Sequence, residues 1–220
     1  VASVLGSYLG GYLYDRKNPY QLMVAGVVFN TLIVAIMVPF HGWPAFGILE
    51  IFLGLGAGWN QTIVNSIGTS IKSQDSRYVF NMLYFAQNLG VVVGTSLVGF
   101  VYDISITLLF AIAATLSTIF LFVVIFAYRP AAKIQHRVTA SGKPIKKWNK
   151  KSLPRPNYLI LTTLFVSLFL VWTMYQQWVS NLSVYMTSLG IPLRNYSLLW
   201  TINAGGIVII QIIINWLARY

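Results

Sequence analysis

The sequence predicts an all-α fold, a polytopic membrane protein whose helices cross the bilayer one after another. Three observations predict it. Hydrophobic residues make up 57% of the 220-residue chain and charged residues 9%, against about a quarter charged in soluble domains. The apolar residues fall in runs of about 20, the length a helix needs to cross roughly 30 Å of hydrocarbon. The basic residues gather in the connections between those runs, and in alternate connections.

Each element follows in order. Val1 to Tyr14 is apolar but too short to span, and it has neither a basic leader nor a small-residue cleavage site. It reads as the back half of a helix, and the chain as a fragment of a longer one. Full crossings are expected at about 21–39, 46–70, 79–102, 107–128, 157–186 and 196–217, giving one partial and six full transmembrane helices. Residues 1–128 form a first helical bundle, 129–156 a basic central loop and 157–220 the start of a second bundle.

Charge gives the orientation. The formal net charge is +11, but the basic residues lie between apolar runs and not on a polar surface, which excludes a nucleic-acid binder. Of the 15 Lys and Arg, only Arg194 falls on the side opposite the rest, so the charged loops, 129–155 included, are placed in the cytoplasm. The opposite connections are short: HGWP at 41–44, DIS at 103–105 and TSLGIPLRN at 187–195. Tyr20, Tyr78, Tyr102, Tyr128 and Tyr158 stand near span ends, as interfacial aromatics do. There is no cysteine, and His41 and His136 both fall in loops, so neither a metal, a cofactor nor an enzyme's acid–base constellation is expected.

The stretch from Arg129 to Tyr158 holds nine Lys or Arg, four prolines and no acid. It reads as a solvated linker made basic by topology. It also suits anionic lipid headgroups, each basic residue near the surface contributing on the order of 1 kcal/mol.

The sequence GGYLYDRKNPY, Gly10 to Tyr20, ends one apolar run and opens the next, with Pro19 suited to the first turn of a helix. It resembles the cytoplasmic signature G-x-L-a-D-r-x-G-r-k of the major facilitator superfamily, found between that family's second and third helices. Gly11, Leu13, Asp15 and Arg16 match, while Asn18 and Pro19 stand where the later Gly and Arg would be. The remaining spans then count as the family's helices three to eight, and the basic loop falls where the family joins its two six-helix halves. The resemblance implies a secondary transporter that works by alternating access, in which Gly11, Asp15, Arg16, Asp75 and Arg77 form a cytoplasmic gate. Plain topogenic charge and turn chemistry is the other reading of these residues.

Three spans carry candidate site residues. In LEIFLGLGAGWNQTIVNSIG, 49–68, the residues Glu50, Gly54, Gly58, Gln61 and Asn65 recur on one helical face, which in lipid should turn inward. The run Leu53 to Gly58 resembles the second half of the family's proton-linked motif in its fourth helix, with Glu50 where that motif has arginine. Glu50 is the acid inside a span, and an intramembrane acid is costly unless protonated, paired or facing water. It is the expected proton-coupling residue; a hydrated acid one turn below the outer surface is the alternative. In 79–102, Asn81, Tyr84, Asn88 and Thr95 form a polar stripe, and Ala86, Gly90 and Gly94 a small-residue ridge for helix packing that resembles the antiporter signature gxxxGPxxGG. In 157–186, Thr173, Gln177, Asn181 and Tyr185 are spaced by four, with Trp172, Tyr175, Gln176 and Trp178 around them.

Gln61, Asn65, Asn88, Tyr175, Gln177, Trp178 and Asn181 are therefore expected to line a substrate path, with Gly54, Gly58, Gly90 and Gly94 packing helices together. Aromatic rings beside neutral amides suit a moderately apolar or cationic small molecule. The expected function is proton-coupled, drug-like efflux, by a monomeric multi-pass protein of the cell membrane whose partners are a small-molecule substrate and protons. Proton-coupled uptake of a nutrient such as a peptide or sugar is the alternative within transport. A polytopic receptor or enzyme is the alternative class.

Overall fold

A computed structural model describes residues 1–71, 75–128 and 155–217, and of 155–157, 180 and 215–217 the backbone alone. Lys72, Arg219 and the basic stretch 129–154, with its expected headgroup contacts, lie outside the described residues. Among the described residues the chain forms seven helices: α1 Ala2–Tyr14, α2 Pro19–Met37, α3 Ala45–Ser70, α4 Ser76–Val101, α5 Ile106–Val123, α6 Arg155–Ser188 and α7 Leu193–Leu217. A π turn, Val124–Tyr128, continues α5.

Local chemistry sets the helix ends. The Asn18 side chain accepts from the Tyr20 N–H at 2.9 Å, and Pro19 fills the first helical position, where a missing N–H costs nothing. Asp75 accepts from the Arg77 N–H at 3.0 Å and Ser105 from the Leu108 N–H at 3.2 Å, which starts α4 and α5 in the same way. After α6 the chain reverses at Gly190, whose φ of 76° a residue with a Cβ would resist.

Five helical segments are long and apolar enough to cross a membrane: Pro19–Met37, Ser76–Val101, Ile106–Tyr128, Tyr158–Ser188 and Leu193–Ile214. Helix α3 has the length, at 26 residues, but falls short in apolarity. Its Trp59-Asn60-Gln61-Thr62 stretch and Asn65 are the reason, and a helix so polar belongs inside a bundle instead of against lipid. The structure packs it against α1, α2 and α4, with Gln61 and Asn65 left exposed.

Small residues bring these helices close, as expected where no hydrophobic effect drives helix association. α1 runs parallel to α3, Gly6 against the Leu55 backbone and Gly10 against Trp59. The Ser7 hydroxyl donates to the Gly58 carbonyl at 3.2 Å. α2 lies antiparallel between α3 and α5. The Trp59 indole N–H donates to the Leu22 carbonyl at 3.2 Å, and on the other side the Tyr20 hydroxyl donates to the Ile125 carbonyl at 3.2 Å. Leu22, Met23, Val27, Ile63 and Val124 form the buried core of this group.

α4 has a different main partner. It packs antiparallel along α7, so that helices from before and after the central basic stretch meet. Gly99 abuts Ser197 at one end of this seam, and the Gln211 side-chain amide donates to the Asn81 carbonyl at 2.8 Å toward the other. Between them the Thr95 and Thr201 hydroxyls lie 2.8 Å apart, with the Ser96 hydroxyl 3.3 Å from Thr201.

Candidate functional site

The α3 face predicted from spacing divides in two. Gly54 and Gly58 turn to α1: a Cβ at Gly58 would run into the Ser3 backbone, whereas one at Gly54 would sit 3.5 Å from the Ala2 Cβ. Glu50, Gln61 and Asn65 stay exposed beside that contact. Glu50 has no hydrogen-bond or ion-pair partner among the described residues and stands in the second turn of α3.

Gln61 is the hub of an amide chain. The Gln87 Nε2 donates to Gln61 Oε1 at 3.3 Å, and the Gln61 Nε2 donates to Asn65 Oδ1 at 3.3 Å. The chain joins α3 to α4 and leaves further amide N–H groups with no protein acceptor among the described residues. Eleven residues separate Glu50 from Gln61, roughly 16 Å along a helix at 1.5 Å per residue. The acid and the amide bridge are therefore distinct places on one wall.

The stripe expected on α4 turns to α7. Asn88 is only 9% exposed, and its amide donates to the Tyr84 carbonyl at 2.8 Å. It shares a helix face with Thr95, which bonds α7, so this face meets α7 and the amide turned to α3 is Gln87. Spacing alone did not single out Gln87, because adjacent amides at 87 and 88 differ by 100° around the helix and only the position of the partner helices decides between them. The ridge at Gly90 and Gly94 has no partner among the described helices. A Cβ at either position would meet no atom within 4 Å, and close contact on α4 runs through Gly99. The pattern at 86–94 has the right period on a face that no described helix covers.

On α6, the Asn181 amide donates to Gln177 Oε1 at 2.8 Å, and both residues are exposed, as are Tyr175 and Trp178. Tyr175 is one member of an aromatic series. Its ring centroid lies 5.5 Å from Trp172 and 6.2 Å from Trp200 of α7, both edge to face. Tyr196 meets Trp200 at 6.3 Å and donates its hydroxyl to the Val179 carbonyl at 3.0 Å. Trp200 was missed from sequence, although Tyr196 and Trp200 stand one turn apart in α7.

The gate residues are not joined to one another. Asp15 caps the end of α1, and the Arg16 guanidinium lies 4.1 Å over the Tyr12 ring. Asp75 holds the first turn of α4 through the Arg77 backbone, and Gly11 lies near the Thr62 methyl. Asp15, Arg16, Asp75 and Arg77 are all exposed, and among the described residues no ion pair links them.

Long apolar helices brought close by glycine, with candidate ligand groups on α3, α4 and α6 and a seam between helices on either side of a basic central stretch, define a multi-pass membrane protein. The family model of the major facilitator superfamily matches residues 1–220, and the chain belongs to that family. It is 32% identical over 218 residues to a Bacillus subtilis (strain 168) protein described as "uncharacterized MFS-type transporter YttB". The match covers 99% of this chain and 54% of that relative, so the chain spans about half the length of the curated relative it matches. No solved structure matches it.

Proposed function

We propose that the protein of which these helices are part is a secondary active transporter that moves a small molecule by alternating access, with proton-coupled efflux of drug-like compounds as its activity. The observation that carries this reading is the α3 wall. Here an exposed, unpartnered acid, Glu50, and the exposed amides Gln61 and Asn65, bridged to Gln87 of α4, occupy one face of a helix packed elsewhere against α1 and α2. A carboxyl in that position supplies a proton site, and the amides supply oriented hydrogen bonds to a ligand. Tyr175, Gln177, Trp178 and Asn181 on α6 add exposed aromatic and amide groups suited to flat or cationic molecules. The seam between α4 and α7 supports alternating access, because it joins helices from the two sides of the central basic stretch, the parts that move against each other in such a cycle. In this reading the charged helix ends face the cytoplasm, where Asp15, Arg16, Asp75 and Arg77 act as a gate that draws together in another state of the cycle.

The neutral character of the amide chain favours a second reading, uptake of an uncharged, hydrogen-bonding nutrient such as a sugar or peptide. The experiment that tests the first reading uses the full-length gene expressed in an efflux-deficient bacterium. Accumulation of a lipophilic cationic dye is followed with and without a protonophore, for wild type and Glu50→Gln. Protonophore-sensitive exclusion that is lost in the variant supports it. Equal accumulation in every strain, with the protein present in the membrane, rules out dye efflux and directs the search to uptake.

A further inference from the structure

Helices α2 and α3 carry the same five-residue pattern: Gly26-Val-Val-Phe29-Asn30 and Gly56-Ala-Gly-Trp59-Asn60. Because the helices are antiparallel, the two patterns meet head to tail. The Asn30 Oδ1 lies where a Cβ on Gly56 would be, and the Asn60 Oδ1 lies where a Cβ on Gly26 would be. The ring before each asparagine closes on the same glycine. Phe29 Cδ1 is 2.9 Å from the Cβ position of Gly56, and Trp59 Cδ1 is 2.8 Å from that of Gly26.

Both glycines are buried, and both asparagine Oδ1 atoms are buried with no N–H or O–H donor among the described residues. A buried amide oxygen without a partner is costly, and here the same situation occurs twice in one interface. What each oxygen faces is a glycine Cα–H, a weak donor that recurs where helix backbones approach closely. We propose that the two patterns form a reciprocal clasp, in which the Cα–H of each glycine donates to the asparagine Oδ1 of the other helix and the two helices are locked into one rigid unit. Glycine is required at 26 and 56 both to expose that Cα–H and to leave room for the amide and the ring.

The two halves of the clasp differ in one respect. The Trp59 ring is held by its N–H bond to the Leu22 carbonyl at 3.2 Å, whereas Phe29, 36% exposed, has room to turn. The half made of Gly56, Asn30 and Phe29 is therefore the more forgiving of a compensated change.

Thermal unfolding of the purified full-length protein in detergent tests the clasp. Gly56→Ala alone is expected to lower Tm by about 1–4 °C, through overpacking against the Asn30 amide. The double variant Gly56→Ala/Asn30→Ala should recover most of that loss, because the new methyl occupies the space the amide leaves. The crossed pair Gly56→Ala/Asn60→Ala, which touches both halves and compensates neither, should show no recovery, its two losses summing. Gly26→Ala/Asn60→Ala should recover less than its counterpart, since Trp59 is held in place. Should Gly56→Ala fail to accumulate, accumulation of its double variant with Asn30→Ala is the expected rescue. The clasp is overturned if Gly56→Ala melts like wild type, if the matched double variant is no better than Gly56→Ala, or if the crossed pair recovers equally.

Discussion

Replacing Gly58 with alanine is the sharpest perturbation of the α1–α3 contact. The added Cβ would lie 2.7 Å from the Ser3 carbonyl carbon and 2.9 Å from its Cα, with the carbonyl oxygen nearer still. Non-bonded carbon atoms rest at about 3.5–4.0 Å, so α1 must retreat by roughly 1 Å. The atoms in the way are backbone, and no rotamer change can clear them. A gap of that size forfeits about a quarter to a half of each dispersion contact across the crossing. It also draws the Ser7 hydroxyl, now 3.2 Å from the Gly58 carbonyl, out of hydrogen-bonding range. Overpacking of this kind costs about 1–3 kcal/mol and a lost hydrogen bond about 0.5–1.5 kcal/mol, while alanine's better helix propensity returns about 1 kcal/mol. The net destabilisation is about 2 kcal/mol, which in a full-length protein about twice as long as this chain corresponds to a Tm lower by roughly 2–3 °C. The assay is thermal unfolding of the full-length protein in detergent, followed by circular dichroism at 222 nm. Gly54→Ala is the matched control, because its Cβ would sit at an ordinary 3.5 Å from Ala2. It should melt within about 1 °C of wild type or slightly above it. Equal losses for both variants, or a Gly58→Ala that melts with wild type, would refute the reasoning.

Three further outcomes are expected. Asp75→Ala should cost about 0.5–2 kcal/mol and speed amide exchange at Arg77 and Tyr78, and Asp75→Asn should restore protection; failure of asparagine to restore it would assign the residue's role to charge instead of capping. Gln87→Leu should raise KM for a transported compound by about 5–10-fold, the value of one neutral hydrogen bond, with Tm unchanged; a lower Tm at constant KM would make the bridge structural. Trp200→Leu should destabilise by about 0.5–1.5 kcal/mol for each of its two edge-to-face partners, with Trp200→Phe intermediate, and identical melting of the two variants would remove the aromatic series as a contributor.

Much of the fold was legible in the sequence, because length and apolarity are properties of a segment by itself. The expected crossing at 107–128 and the helical stretch Ile106–Tyr128 differ by a single residue at one end. Pro19 marked a helix start in the sequence, and the Asn18 and Asp75 caps, although not read there, rest on local hydrogen bonds that need no distant partner. Site residues were less legible, because a polar face says that a helix has a partner without saying which. Asn88 and Gln87 show the point: the spacing that put Asn88 on a stripe with Thr95 was right, but that stripe meets α7. Gly90 and Gly94 fit a packing period on a face no described helix covers, whereas Gly26 and Gly56, unremarked in the sequence, turn out to be filled by asparagine amides. The reciprocal pattern was there to be read, but only antiparallel contact between α2 and α3 gives it meaning.

The seam between α4 and α7 has a practical consequence for how such a protein assembles. The contacts described along it belong to residues on either side of the central basic stretch. Covalent continuity then raises the local concentration of the two parts without dictating how they fit. Two polypeptides divided within 129–154 and made in the same cell should find each other in the bilayer and dock through Gly99, Ser197 and the threonine hydroxyls, much as separately folded subunits recognise one another.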